Sequence, residues 1–303
     1  MENIYATVAS GEFFFGVLVN VFMGLVNSMD WAKTRRVSTL DFIITGMAIS
    51  RTILLWTIIS VTILVGFYFN ENIKNKLRIM NILWHLGSVL SAWFDACLGV
   101  FFFLKIANFS YPVFLWLKWR VDKVVIRVLI VCMIISLLIC LPGTEKMHLL
   151  YFDQRNKANI TENIQVSSTY YIFPIIFFYI GSFPPFFLCL TSCFLLVLSL
   201  WRHTQQIQLH VTSSRDPSTE AHVKAMKFMV SFLFLFVLYH VGIITAVLNF
   251  SVFRNHLGIM FGMIIMNIYP MAHSIILILW NSKLRQASLR VLQKLKHCLR
   301  NSC

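Results

Sequence analysis

Charged residues are scarce in this sequence. Asp, Glu, Lys and Arg make up 13% of its 303 residues, whereas soluble globular proteins carry about 25%. Apolar and aromatic residues make up 58%, and the mean hydropathy is +0.74. This balance excludes an ordinary soluble domain and predicts one polytopic membrane domain over residues 1–303.

The sequence also lacks the common signatures of enzymes. It contains no Gly-rich phosphate loop, no His-Glu-X-X-His zinc pair and no Gly-X-Ser-X-Gly elbow. We therefore expect no enzymatic activity, no cofactor and no metal site. Strand-period alternation is missing as well, which excludes a transmembrane β-barrel.

Cysteine is absent from every predicted outer loop, so no structural disulfide is expected there. Only about seven residues precede the first apolar run, without a basic region or a small-residue cleavage site, so no removable signal peptide is expected. Any ligand is therefore expected to bind within the helices themselves.

The sequence does contain long apolar runs. Seven of them have the 18 or more residues needed to cross a bilayer. The prediction is an all-α membrane protein, a seven-transmembrane helix bundle with a short amphipathic cytoplasmic helix. The predicted spans are 8–29, 40–67, 79–104, 124–141, 171–200, 228–249 and 257–280.

Lys and Arg set the orientation. They are more than twice as frequent in the segments on one side of the predicted spans, and this bias places the N-terminus outside and the C-terminus in the cytoplasm. The formal charge of +14 is explained by this topology and by anionic lipid, not by nucleic acid. The tail, 281–303, reads as a basic amphipathic helix on the inner membrane surface. The expected location is the plasma membrane.

The longest predicted outer loop carries a glycosylation signal. Asn159 begins an Asn-Ile-Thr sequon, so Asn159 is predicted to carry an N-linked glycan.

Polar side chains inside the spans are informative because each is costly in hydrocarbon, at roughly 2.5–3.5 kcal/mol for an Arg at a helix centre. Arg51 and Asp95 are the two charges nearest mid-span, and Glu12 and Asn20 share one stripe of the first span with two glycines. These residues alone fit a receptor, and they fit equally a transporter whose pathway Arg51 and Asp95 line.

Six segments carry a family resemblance. In chain order they read GEFFFGVLVNVFMGLVN, LDFIITGMAISRTILLW, FFFLKIANFSYPVFLWLKWR, SLWRHTQQI, EAHVKAMKFMVSFLF and YPMAHSIILILWNSKLRQASL. They resemble the type 2 taste receptors, the G-protein-coupled bitter receptors, in every span but the fourth. The Asp-Arg-Tyr and Asn-Pro-X-X-Tyr motifs of rhodopsin-like receptors are missing, as this resemblance implies.

The resemblance implies a function and a polar cluster. Small bitter molecules are expected to bind in the outer half of the bundle and to activate a gustducin-type heterotrimeric G protein. Asn20, Arg51 and Ser274 match family positions that hold three helices together, with Arg51 also donating to backbone carbonyls freed by Pro270. Arg51 is then a structural and switching residue.

The resemblance also indicates the ligand-binding residues. Trp93 matches a pocket tryptophan and Cys97 lies one turn inward on the same face. Tyr239 matches a residue of contact and switching, and Met263 stands where some members have Glu, which makes the pocket more apolar. Further expected lining residues are Tyr179, Ser182 and Trp56.

Asp95 is two residues from Trp93, or about 200° around a helix, so it is expected to face away from the Trp93 side and to pair with polar groups of a neighbouring span. The family commonly has a small residue there.

The cytoplasmic side and two prolines complete the predictions. Pro185 and Pro270 are expected to kink their helices and so to act in switching. The residues expected to surround the G-protein cavity are Lys118, Arg120, Arg202, His203, His222 and Lys224.

Two alternative functions stay open. One is a vomeronasal-type pheromone receptor, and the other is a seven-span transporter, for which repeated halves or interrupted helices would be expected.

Overall fold

The structure is a computed structural model, which describes residues 2–67, 73–107, 111–135, 137–138, 169–208, 217–249 and 255–301. Helix dominates these residues, and no strand occurs among them. The all-α class predicted from the sequence is therefore confirmed.

Nine helices lie in the described part of the chain. They are α1 (Glu2–Thr34), α2 (Thr39–Phe67), α3 (Ile73–Ile106), α4 (Pro112–Trp119), α5 (121–135), α6 (Thr169–Gln208), α7 (Pro217–Leu248), α8 (His256–Trp280) and α9 (Ser282–Asn301).

Six of the described helices, α1, α2, α3, α6, α7 and α8, are long and apolar enough to cross a membrane. The fourth predicted span, 124–141, begins on α5, and its residues 136 and 139–141 lie outside the described residues. This arrangement agrees with a seven-transmembrane receptor bundle.

The long helices close into a ring. α1 contacts α2, α2 contacts α3, α3 contacts α6, α6 contacts α7, α7 contacts α8, and α8 returns to α1. Contacts of α2 with α8 and of α3 with α7 cross the interior. α3 is the most enclosed of these helices, and every residue from Ser91 to Gly99 is buried. The centre of the molecule is therefore built around α3.

Local sequence fixes where several helices begin. Ser38 precedes α2, where its Oγ accepts from Asp41 N at 3.0 Å and donates to the Asp41 carboxylate at 2.8 Å, forming a capping pair. Asn255 Oδ1 accepts from two backbone amides of α8. Asn281 separates α8 from α9, where its Oδ1 accepts from the amides of Lys283 and Leu284.

Two glycines bring α7 and α8 together backbone to backbone. A Cβ added to Gly262 would lie 2.7 Å from Ala246 N and 2.8 Å from Gly242 O. Only glycine fits this crossing, because the atoms it would meet are backbone atoms that no rotamer change can move.

Candidate functional site

Arg51 lies at the centre of the bundle. It is the thirteenth residue of α2, about 18 Å along the helix from Thr39 at 1.5 Å per residue. Its side chain is fully buried. A guanidinium at this depth needs partners for its donors, and the surrounding helices supply them.

Asp95 of α3 is the counter-charge. Arg51 Nη2 lies 2.6 Å from Asp95 Oδ1, and neither side chain is exposed. Arg51 Nε also reaches Ser91 Oγ at 3.4 Å, one turn away on the same face of α3. The expectation that Asp95 pairs with a polar group of a neighbouring span agrees with this geometry, although the sequence did not indicate which group.

Two residues of α8 complete the surroundings of the carboxylate. The Tyr269 hydroxyl donates to Asp95 Oδ2 at 2.5 Å and lies 3.3 Å from Ser91 Oγ. His273 Nδ1 contacts Arg51 Nη2 and lies 3.2 Å from Asp95 Oδ1. The His273 ring packs against Phe228 of α7 with centroids 4.9 Å apart. The network thus joins α2, α3 and α8 and is closed by an aromatic wall from α7.

The predicted cluster of Asn20, Arg51 and Ser274 forms in the structure, with Ser274 as the bridge between Arg51 and Asn20. Arg51 Nη1 donates to Ser274 Oγ at 2.9 Å, and Ser274 Oγ lies 2.8 Å from Asn20 Oδ1. The expectation that Arg51 itself bonds to a backbone carbonyl near Pro270 needs correction. Asn20 Nδ2 and Ser274 Oγ are the donors to Pro270 O, at 3.3 and 2.9 Å.

An outer polar group sits two turns along α3 from Asp95. Ser88 Oγ and the Tyr239 hydroxyl are 2.6 Å apart, which links α3 to α7. The Tyr239 ring lies 5.2 Å from the Tyr269 ring, so the outer group is one contact from the Asp95 network. Met263 of α8 is half-buried and packs against the same core.

Trp93 and Cys97 do not face this group. They are two residues from Asp95 on either side, which turns them to the opposite side of α3. Both are buried, and Cys97 lies near Cys132 of α5. That Trp93 and Cys97 line the ligand pocket stays a prediction, and the helical period places them on the side of α3 opposite to Ser88 and Asp95.

Trp56 is also placed differently from the prediction. It is 54% exposed on the outside of α2, with its ring edge-on to Phe13 of α1 at 4.9 Å. It lines an apolar groove of about 610 Å³ together with Val21 and Leu83. Trp56 therefore lies at the outer surface of the described helices and not in their interior.

The structure describes only some of the remaining residues that were predicted for ligand binding, switching or modification. Tyr179 and Ser182 fall within the range of α6, but their side chains lie outside the described residues, as does Asn159. Pro185 is buried within α6 and Pro270 within α8, and both helices continue through them.

The basic residues that were predicted to surround the G-protein cavity lie on α4, α6 and α7 and in the turn after α4. Lys118 Nζ donates to Ala107 O at 2.9 Å, which ties α4 back to the end of α3, and burial lowers the pKa of Lys118. The Arg120 guanidinium lies 5.3 Å from the Trp116 ring centroid. Arg202 and Lys224 are exposed, whereas the side chains of His203 and His222 lie outside the described residues.

α9 is fixed to the inner ends of α1 and α2 by Lys283. Its ammonium lies 2.7 Å from Asp30 and 2.9 Å from Asp41. Burial lowers the pKa of Lys283, but the hydrogen bonds to the two carboxylates outweigh burial and raise it above its usual value. Leu284, fully buried, follows directly.

Sequence reasoning missed Ser88, Ser91, Tyr269 and the pairing role of His273. One signal could have found the central pair: Arg51 and Asp95 have opposite charge and both lie near mid-span, where an unpaired charge is costly. The neutral residues carry no comparable signal, because Ser, Tyr and His are common on any helix surface.

Comparisons with known proteins agree over nearly the whole chain. The family model described as Taste receptor protein (TAS2R) matches residues 1–296. The chain is 44% identical to Taste receptor type 2 member 7 of Papio hamadryas over 289 residues, covering 94% of this chain and 91% of that protein. It is 43% identical to Taste receptor type 2 member 8 of Gorilla gorilla gorilla over 298 residues, covering 96% of each. Against Taste receptor type 2 member 8 of Pongo pygmaeus, identity is 42% over 309 residues, covering 100% and 98%.

Proposed function

Because this chain belongs to the type 2 taste receptor family, G-protein-coupled receptors for bitter compounds, we propose how its bundle receives a ligand and signals. The ligand is a small, largely apolar molecule that binds in the outer half of the bundle, between α3, α7 and α8. The lining residues nearest the network are Ser88, Tyr239 and Met263.

One observation carries this proposal: an unbroken series of contacts from the outer half to the centre. Ser88 bonds to Tyr239, the Tyr239 ring packs on Tyr269, and Tyr269 donates to the Asp95 carboxylate that pairs with Arg51. A ligand that replaces Ser88 as the partner of the Tyr239 hydroxyl shifts α7 relative to α3. The packing of Tyr239 on Tyr269 passes that shift to the central network.

Signalling is then a population shift between two arrangements of the helices. The ligand stabilises the arrangement in which the cytoplasmic end of α7 moves away from α3. The cavity so opened receives the C-terminal helix of a Gα subunit, beside Arg120, Arg202 and Lys224. The proposed partner is a gustducin-type heterotrimer, and the proposed location is the plasma membrane with the N-terminus outside.

The experiment is a calcium assay in cells that co-express the receptor with a gustducin-type chimeric Gα, across a broad panel of bitter compounds. Ser88→Ala and Tyr239→Phe each remove one hydrogen bond worth about 1 kcal/mol, so the agonist concentration for half response is expected to change roughly five- to tenfold. Trp93→Phe is the matched control on the other face of α3 and is expected to respond like wild type at equal surface expression.

The opposite pattern of responses among these variants would place the ligand pocket on another side of α3. A response lost in Trp93→Phe and retained in Tyr239→Phe would place the ligand on the α5 side of α3. Silence of well-expressed wild type across the panel, together with no agonist-independent G-protein activation, would count against gustducin coupling.

A further inference from the structure

The beginning of α5 carries three cationic residues on one side of the helix. Arg120 O accepts from the amides of Lys123 and Val124 at 3.1 and 3.0 Å, so the helical turn begins at Arg120. The spacings of three and four residues place Arg120, Lys123 and Arg127 on one face, over about 10 Å at 1.5 Å per residue. All three side chains are exposed, and we call these three residues the α5 basic stripe.

The other side of α5 packs into the bundle. Val121, Val125 and Leu129 recur every fourth residue and are buried. They belong to the same hydrophobic core as the buried residues of α3. These contacts fix the rotation of α5 and leave the α5 basic stripe on the outer surface of the described helices.

The face that carries the stripe continues as apolar surface. Beyond Arg127, the exposed residues in line with the stripe are Ile130, Val131 and Ile134. These apolar residues lie within the fourth predicted span, whereas the first two members of the stripe precede that span. A face that is cationic at the membrane edge and apolar beyond it is complementary to an anionic phospholipid, whose headgroup is joined to its acyl chains.

α4 adds two tryptophans beside the stripe. Trp119 is 87% exposed, and Trp116 is exposed as well. The Arg120 guanidinium lies 5.3 Å from the Trp116 ring centroid, so the ring and the cation support each other. Tryptophan is enriched where a membrane meets water, because its ring is apolar and its N–H is polar. This composition fits the level of the lipid headgroups.

Two contacts hold α4 against α3. Phe114 is buried and packs edge-on against Phe103, with ring centroids 5.6 Å apart. Lys118 Nζ donates to Ala107 O at 2.9 Å, so that cation is engaged at the end of α3 and does not belong to the stripe. The tryptophans and the stripe are therefore parts of one surface that the fold has already formed.

The stripe needs a counter-charge that the described part of the chain does not supply. No described carboxylate forms an ion pair with Lys123 or Arg127. Asp122 lies about 100° around the helix from Lys123 and is on a different side. Arginine binds phosphate through two parallel N–H···O bonds, and lysine binds it as a point charge. A phosphate group at the membrane surface is therefore the complementary partner.

We propose that the α5 basic stripe binds the headgroup of an anionic phospholipid in the leaflet on the α9 side, with the acyl chains along Ile130, Val131 and Ile134. Trp116 and Trp119 lie at the level of that headgroup. A protein partner such as Gα reaches only the cationic half of this face, because the apolar half lies in hydrocarbon. The inference depends neither on the bitter ligand nor on the G protein.

The test measures binding of a fluorescent phosphatidylserine to the purified receptor in detergent micelles. Phosphatidylcholine with the same acyl chains is the zwitterionic comparison, and wild type is expected to bind it more weakly. Lys123→Gln with Arg127→Gln is expected to lower the affinity for phosphatidylserine roughly twentyfold, because each cation at a membrane surface contributes about fivefold. Its affinity for phosphatidylcholine is expected to stay unchanged. Arg120 is left intact because it also lies beside the proposed Gα cavity.

Lys33→Gln with Arg36→Gln is the matched control. It removes two exposed cations from the end of α1 and the turn that follows, at the same end of the bundle. This control is expected to bind phosphatidylserine like wild type. Thermal unfolding in phosphatidylcholine nanodiscs checks that both double variants are folded, and midpoints equal to that of wild type are expected because all four side chains are exposed.

Trp119 gives a second and independent measurement. Its fluorescence in nanodiscs is the difference between wild type and Trp119→Phe. A nitroxide attached to the lipid headgroup is expected to quench this difference strongly, whereas iodide in the water is expected to quench it weakly.

Four results would overturn the proposal. One is equal affinity for the two lipids, or an unchanged affinity in the Lys123→Gln and Arg127→Gln variant. Another is an equal loss in the control, which would mean that only the total charge matters. Competition by inorganic phosphate at low concentration would make the stripe a site for a free anion. Quenching of Trp119 by iodide and not by the headgroup nitroxide would turn this surface to the water, where a protein partner binds.

Discussion

Arg51 and Asp95 show how a membrane protein retains a charge at mid-span. The pair carries no net charge, and each member has further hydrogen bonds, from Arg51 to Ser274 and from Tyr269 to Asp95. A buried pair of this kind is weak evidence of net stabilisation, because desolvation offsets the attraction. Losing one member has a larger effect, since the other is left as an unpaired charge in a fully buried site.

Removing the carboxylate is therefore expected to be severe. Asp95→Asn leaves Arg51 without a counter-charge, at a cost of roughly 3–5 kcal/mol in the free energy of unfolding. We expect surface expression, measured by flow cytometry on a tagged receptor, to fall to a small fraction of wild type.

The double variant Arg51→Met with Asp95→Leu is the control for this prediction. It removes both charges, while Ser274 keeps Asn20 and Ser91 keeps Tyr269 as partners. Its surface expression is expected to exceed that of Asp95→Asn. Equal or lower expression would mean that the stability of the bundle requires the ion pair itself, not merely the absence of an unpaired charge.

At the scale of helices, close approach is decided by a few glycines, and their sequence spacing does not identify them. Gly16 and Gly24 belong to one stripe of α1, yet a Cβ at Gly16 meets Leu55 and a Cβ at Gly24 meets nothing within 4 Å. Among the described glycines, the closest approach to the backbone of another helix is instead at Gly262 of α8, where an added Cβ would lie 2.7 Å from Ala246 N and 2.8 Å from Gly242 O of α7.

Alanine substitutions at these glycines are expected to have opposite effects. Gly262→Ala forces α7 and α8 apart and is expected to cost roughly 1–3 kcal/mol, as overpacking does. Gly24→Ala meets no neighbour and adds helix propensity of about 1 kcal/mol or less. Thermal unfolding of both purified variants measures the difference, and equal midpoints would show that α7 and α8 do not touch at Gly262.

At the scale of the whole molecule, α9 and the adjoining ends of α1 and α2 form one unit at one end of the bundle. Lys283 bonds to Asp30 and Asp41, and Asn281 both ends α8 and caps α9. The exposed apolar face of α9, with Leu292 and Leu295, lies next to this joint. A basic amphipathic helix so attached fits the inner membrane surface.

This orientation can be measured directly. The excess of Lys and Arg on one side predicts that an N-terminal epitope is labelled on intact cells and a C-terminal epitope only after permeabilisation. Asn159→Gln is expected to remove the mobility shift that deglycosylation causes in wild type. Labelling of the C-terminal epitope on intact cells would reverse the topology.

The sequence by itself determined the class of structure and the family. A bilayer core offers no water to backbone groups, so apolar runs of this length must be helices. The same reasoning marked Arg51 and Asp95 as interior residues, and the helical period put Asp95 and Trp93 on opposite sides of α3.

Only the tertiary structure decided which side of each helix faces the centre. Apolar residues line both the lipid side and the packed side, so sequence pattern alone leaves the rotation of a helix about its axis undetermined. Contacts such as Phe94 against Gly46 help to fix that rotation, and the result is an inward Asp95 and an exposed Trp56.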